Sequence, residues 1–393
     1  MKMVSRDLWK LSLLIVFLTS FADSLWACPA CGPVLEPTWS ERLARSDVAL
    51  LVQWVEGKPG KGPDAVGAST TFEIVQIARD TDNAYKKGQR LFLPKYISGK
   101  PGNLFFRWGV KKNGKVEWRS PVPISETAYH YITQAPSPEV PGSKRLRFFL
   151  KFFEYPDNLI ANDAYIEFAK ASYEDVKSTS DVMDRKKIRK WLTDPETPQS
   201  RIGLYGLMLG MCGTKEDIPF LENRITQFKE EFRLGVDGVI AGYLMLVGEK
   251  GMDLIDRTKF LDTKAPQSET YSALLAIRII WTYGNGKISK DRLRKSMRLL
   301  IDRPELAELA IPDLARWRDW TVQDRLMKLY GQKDYDTRSV KTAIIKYLIA
   351  STQDLPKDKT AKLPPHVVKG RQMIETIKQK DPKTYRIATR TFF

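Results

Sequence analysis

Histidine and cysteine are nearly absent: the chain has two histidines and three cysteines in 393 residues. His130 and His366 stand far apart in sequence, and neither lies in a His-Glu-x-x-His spacing. A histidine metal centre therefore lacks its ligands, and a Ser-His-Asp or Cys-His relay lacks its base. Three cysteines do not make a disulfide scaffold. Gly57 to Gly62 holds three glycines, but it lies between strand-like stretches with no helix after it, which excludes a phosphate-cradling loop. Beyond residue 27 no stretch approaches the ~18 apolar residues needed to cross a bilayer. The expectation is a protein that is not an enzyme and uses neither cofactor nor metal.

What is abundant is positive charge. Lysine and arginine total 64 against 47 acidic residues, a net +17. Such a surplus favours acidic protein faces, anionic surfaces or polymers, and nucleic acid. The N-terminus decides among them. Lys2, Arg6 and Lys10 precede the apolar run Leu11 to Phe21, and Leu25-Trp26-Ala27 forms a cleavage triplet, so residues 1–27 read as a signal peptide with Cys28 as the mature start. An exported protein, periplasmic or extracellular, is expected to bind a protein partner or an anionic polymer rather than nucleic acid.

Residues 47–124 alternate with a period of two. Strands are expected at Asp47 to Glu56, Ser69 to Arg79, Arg90 to Pro94, Asn103 to Val110 and Val116 to Ile124. Lys112-Asn113-Gly114-Lys115 reads as a two-residue hairpin, because Asn-Gly accepts the positive φ of a primed turn. Phe106, Trp108 and Val110 are expected to share a face with Val116 and Trp118. Five short strands in so little chain suggest a small antiparallel β-barrel over residues 28–134.

Ala135 to Gly142 holds Pro136, Pro138 and Pro141 and marks a linker, residues 135–143. After it the period becomes 3.6. Leu146, Phe149, Leu150 and Phe153 make one helical stripe, and Ile160, Ala161, Ala164 and Phe168 the next. The pairing recurs: second helices begin near Asn158, Gln199, Leu234, Ser268, Glu305 and Asp336. Shorter first helices precede them at Arg185 to Leu192, Asp217 to Phe228, Gly251 to Leu261, Ser289 to Asp302 and Thr321 to Tyr330. Paired helices at this spacing read as about six stacked repeats over residues 144–350. The run Asp194-Pro195-Glu196-Thr197-Pro198-Gln199-Ser200-Arg201, followed by Leu204, Leu209-Gly210 and Gly213, resembles the HEAT repeat. Pro156-Asp157 through Ala164 matches the same turn, and Arg303-Pro304-Glu305 through Leu314-Ala315 is a third, looser match. The resemblance implies an α-α solenoid with a long binding surface. Residues 351–393 read as a basic capping helix and tail, with Val367, Arg371, Ile374 and Ile377 on one stripe.

Two groups of residues stand out as candidate sites. The first is an interaction cluster of Arg316, Trp317, Asp319 and Trp320, with Asp313 and Arg325 beside it, where Trp-Arg stacking offers a ligand platform and inter-repeat packing the plainer account. The second is Cys28 and Cys31. Cys28-Pro29-Ala30-Cys31 has the spacing of a thiol oxidoreductase, but Gly32-Pro33 stands where the activating helix should run. A small disulfide ring, or a modified N-terminus, remains. Leu25-Trp26-Ala27-Cys28 resembles a lipobox, which implies a lipid on Cys28 as the one link to a membrane. Joined to the strands that follow, a mature Cys-x-x-Cys start resembles the netrin-like module of the tissue inhibitors of metalloproteinases. That family implies an N-terminal cysteine presented to a protease zinc. Cys212, at the apolar end of a helix, is expected to be an inert thiol. Asp163 and Glu167 are expected on an ordinary solvated helix face.

Taken together, the sequence describes an α+β multidomain protein: a small N-terminal antiparallel barrel of OB/netrin-like type, then a HEAT-like solenoid. Its expected role is that of an exported, non-catalytic protein-binding scaffold. Inhibition of a metalloprotease through Cys28, or an enzyme site at the junction of barrel and solenoid, are the rival readings.

Overall fold

A computed structural model describes residues 36–61, 65–227, 233–358 and 360–390. The expected signal peptide over residues 1–27, Cys28 and Cys31 lie outside these residues. Two compact units emerge, one of residues 36–146 and 166–176, the other of residues 147–165 and 177–390.

The first unit opens with helix α1 (Trp39–Ala44). A capping box closes its start: the Thr38 hydroxyl accepts from the Glu41 amide, and the Glu41 carboxylate from the Thr38 amide. Strands β1 (Val48–Lys58), β2 (Ser69–Asp80), β3 (Arg90–Leu93), β4 (Leu104–Lys112), β5 (Lys115–Trp118) and β6 (Val122–Pro123) follow, then α2 (Glu126–Gln134). The strands form one antiparallel sheet in the order β3-β2-β1-β4-β5, with β6 also paired to β4. Val48 to Val52 are buried without a break. Such a run belongs to a central strand covered on both faces, and β1 is that strand. On one face Leu50, Val52 and Trp54 of β1 pack with Phe72, Ile74 and Phe105. On the other, Trp39 meets Phe106 and Trp108 edge-on at 5.7 and 5.2 Å.

Two expectations change here. The sheet is open: β3 and β5 are its edges and do not pair with each other, so no barrel closes among the described residues. The hairpin forms as expected, with Asn113 and Gly114 both at positive φ, but its register places Lys112 opposite Lys115 and therefore Gly109 opposite Trp118. Opposite residues share a face, so Val116 and Trp118 lie with Phe105, not with Phe106 and Trp108. They pack on the Leu50 face. Arg107 shares that face. It is 4 % exposed and stacks on Trp118 at 4.5 Å, and burial pushes its pKa down.

Beyond α2 come α3 (Gly142–Phe149), α4 (Asn158–Lys170) and α5 (Tyr173–Lys177). Glu167 is not on a solvated face, and neither is Asp163; they are 1 % and 3 % exposed. Glu167 turns inward because partners wait there: Ser40 donates to it at 2.6 Å and Arg145 lies 2.6 Å away. Charge alone suggests water as the neighbour of both carboxylates, and the fold supplies other partners.

The second unit continues with α6 (Arg185–Thr193), α7 (Ile202–Cys212), α8 (Ile218–Thr226), α9 (Val236–Val247), α10 (Met252–Ile255), α11 (Gln267–Tyr283), α12 (Lys290–Leu299), α13 (Pro304–Arg316), α14 (Gln323–Leu329), α15 (Arg338–Thr352), α16 (Pro365–Lys380) and α17 (Pro382–Arg390). The helices fall in pairs near the expected starts. Within the pairs α7 packs on α6 and α9 on α8; between them α7, α9, α11, α13 and α15 pack in succession, and α16 and α17 cover α15. No helix among the described residues is long and apolar enough to cross a membrane.

Glycine sets the closest of these contacts. On α7, a Cβ at Gly206 would lie 2.6 Å from the Val239 Cα of α9, and one at Gly242 would overlap the Gly206 carbonyl. The two backbones therefore touch, which only glycine permits.

Ion pairs join each helix pair to the next. Arg201 reaches Glu154 at 2.6 Å, Arg189 reaches Asp217 at 3.0 Å, Arg233 reaches Glu269 at 2.7 Å, Arg278 reaches Asp313 at 2.7 Å, and Arg325 pairs with Asp302. The Glu269 junction is the most enclosed. A π-helical turn, Asp256–Phe260, carries Lys259 fully inside, where it donates to Glu269 and to the Ile225 carbonyl at 2.7 and 2.8 Å. Burial lowers the Lys259 pKa. Burial alone would raise that of Glu269, but Arg233 and Lys259 together hold it below the usual carboxylate range.

Two outcomes follow for stability. Gly242→Ala is expected to cost about 1–3 kcal/mol by overpacking, read as a lower urea midpoint with an unchanged slope. Glu269→Gln leaves Lys259 buried without its counter-charge and is expected to cost about 3–5 kcal/mol at neutral pH. Because the folded pKa of Glu269 is depressed, its stabilisation is complete above the ordinary carboxylate range and fades as pH falls through the folded value. The gap between wild type and variant in urea unfolding should therefore narrow toward acid pH.

Candidate functional site

The expected cluster of Arg316, Trp317, Asp319 and Trp320 lies where α13 ends and the chain turns into α14. Arg318 makes that turn with a φ of 53°, a left-handed conformation, and its side chain is 72 % exposed. The turn is pinned by Asp319, which is buried. Its carboxylate accepts from Arg298 Nε and Nη2 at 2.6 and 3.0 Å and from the Thr321 hydroxyl at 2.6 Å. Tyr347 donates to the Asp319 carbonyl.

The four residues separate. Trp317 is buried and stacks flat on Trp281 of α11, with centroids 4.1 Å apart. Arg316 pairs with Asp313. Asp319 and Trp320 instead line an open cleft of about 440 Å³, together with Asp291, Arg294, Arg298, Arg318, Thr321, Pro365 and His366. Sequence reasoning missed the α12 arginines and His366 as partners of Trp320. The spacing of Arg294 and Arg298, four residues apart on one helix face, was the available signal.

His366 lies in the first turn of α16, and its ring stacks on Trp320 at 5.8 Å and 20°. Its Nε2 is 3.2 Å from Asp354 Oδ2, an oxygen that also accepts from Trp320 Nε1 at 2.6 Å. Arg318 reaches the other Asp354 oxygen at 3.4 Å. Arg294 is held by the Trp317 carbonyl at 3.0 Å and by Asp291 at 2.8 Å, and Arg298 by Asp319. Among the described residues of the cleft, Arg318 is thus the arginine held by a single, long ion pair, exposed on its own side and largely buried on that of Asp354. At 3.4 Å and with the guanidinium in water the pair is weak, and Asp354 keeps the Trp320 Nε1–H as a donor, so an incoming carboxylate can take its place at Arg318 at modest cost. Trp320 adds a flat apolar wall beside it.

No family model, curated protein or solved structure matches this chain. The cleft is therefore read from its own chemistry.

Other candidate groups are placed as follows. His130 lies half-exposed on α2, 3.8 Å from Glu126. Cys212 is unpaired, and burial, reinforced by Asp217, pushes its thiol up to about 11, which leaves it protonated and unreactive at neutral pH. Lys259 has a lowered pKa but no exposure and a carboxylate partner, so it serves the packing of the helices around it. No group of three or more His, Cys, Asp or Glu suited to a metal ion occurs among the described residues.

Asp319 and Arg318 should behave oppositely. Asp319→Ala strips a partly exposed Arg298 of its partner and frees the turn, and is expected to cost about 2–3 kcal/mol. Arg318→Ala should stay within about 0.5 kcal/mol of wild type. Thermal or urea unfolding of the two variants checks this contrast.

Proposed function

We propose that this protein is an exported, non-catalytic scaffold whose helix pairs form a HEAT-like repeat array, and that the cleft beside Trp320 receives an acidic segment of a protein partner. The observation that carries the reading is the exposed Arg318 side chain, set at a left-handed turn beside an aromatic wall with a single, long ion pair to Asp354. The cleft draws residues from α12, from the turn between α13 and α14, and from the start of α16. A segment lying there spans successive repeats, as ligands of helical arrays do. The overall charge of +17 favours an acidic partner at the encounter stage.

The test compares wild type with an Arg294→Glu/Arg318→Glu variant, each immobilised and exposed in native salt to the exported fraction of the source cells, with cross-linking to locate contacts. An acidic protein cross-linked at residues 291–321 and lost at least tenfold, about 1.4 kcal/mol, on charge reversal is the expected result. Equal capture by both proteins would remove the cleft from the reading. Capture of nothing would remove the scaffold.

A further inference from the structure

A second cleft, of about 330 Å³, lies where the chain leaves α3 and packs along α6. Its apolar walls are Phe148, Leu150, Val182, Ile188 and Trp191, and Val182 is 48 % exposed. Behind Trp191 the apolar wall continues through Phe153 and Tyr205, at 5.8 and 5.0 Å. The volume falls at the small end of the ~300–1,000 Å³ range of small-molecule sites.

The polar lining is confined to charged ends. Arg147 is spoken for, with Asp181 at 2.8 and 3.0 Å and the Ser178 carbonyl at 3.0 Å, and this fork fixes one wall. Asp184 turns its carboxylate to the first amides of α6, accepting from Lys186 and Lys187 at 2.9 and 3.1 Å. Lys151 and Lys187 are exposed at the cleft with no ion pair among the described residues. No lining side chain offers an amide or hydroxyl to a peptide backbone.

We propose that this cleft binds a single-chain anionic amphiphile, its hydrocarbon chain against Phe148, Leu150, Val182 and Trp191 and its carboxylate between Lys151 and Lys187. Two ammonium groups beside a solvent-reachable apolar wall match the two ends of such a molecule, and long lysine stems let the charges stay in water while the chain is buried.

Titration calorimetry of the full chain with laurate, kept below its micelle-forming concentration, tests the assignment. One saturable site is expected, with dodecyltrimethylammonium at least tenfold weaker. Lys151→Glu/Lys187→Glu should reverse that order, and Val182→Asp should weaken laurate tenfold while circular dichroism and the urea midpoint stay at wild-type values. Absence of saturable binding, an unchanged preference in the lysine variant, or binding to anionic phospholipid vesicles without binding of free laurate would each overturn it. The cleft beside Trp320 takes no part in these readouts, so an Arg318→Ala control should bind laurate as wild type does.

Discussion

Arginine meeting carboxylate across the seam between helix pairs is the interaction on which the helical unit depends. Apolar stripes hold neighbouring pairs together through burial that is non-directional, whereas an ion pair joins two named positions. Parted from its arginine, a buried carboxylate such as Asp217, Glu269 or Asp313 would stand in the interior with part of its counter-charge gone. The recurrence of such a bond from seam to seam gives each pair a defined seat on the last. At one seam the π-helical turn Asp256–Phe260 brings Lys259 to the same carboxylate that Arg233 grips.

Much of the fold could be read from periodicity. Strand and helix positions follow from alternation in one half and 3.6-residue stripes in the other, because those patterns record which side chains face a core. Closure of the sheet could not be read in this way. Whether β3 and β5 meet depends on twist and on what covers the faces, and neither is written in a short alternating pattern. The strand register differs for a simpler reason: once the Asn113-Gly114 turn is fixed, opposite positions are fixed with it, and the face expected for Trp118 is one residue out. Glu167 shows a further limit, since its burial rests on Arg145 and on Ser40, which lies 127 residues upstream.

The candidate cleft was half legible. Tryptophan and arginine crowding between residues 316 and 320 marks the place, but grouping by sequence joins residues that the structure separates. Trp317 and Arg316 serve the packing of α11 and α13, while the usable surface comes from Arg318 and Trp320 with His366 brought from a later helix. Which of two adjacent residues faces a neighbour and which faces water is settled by a single left-handed residue, and a positive φ at arginine leaves no trace in composition.

The glycine contact between α7 and α9 bears on the mechanics of the helical unit. Backbones in direct touch have no side-chain layer to shear, so this joint behaves as a weld. Between α11 and α13 the contact is sparse, and the seam relies on Arg278 and on the stacked rings of Trp281 and Trp317. Stiffness is therefore graded along the unit. Any bending of the unit is concentrated on the compliant seam, next to Arg318, rather than shared evenly among the helix pairs.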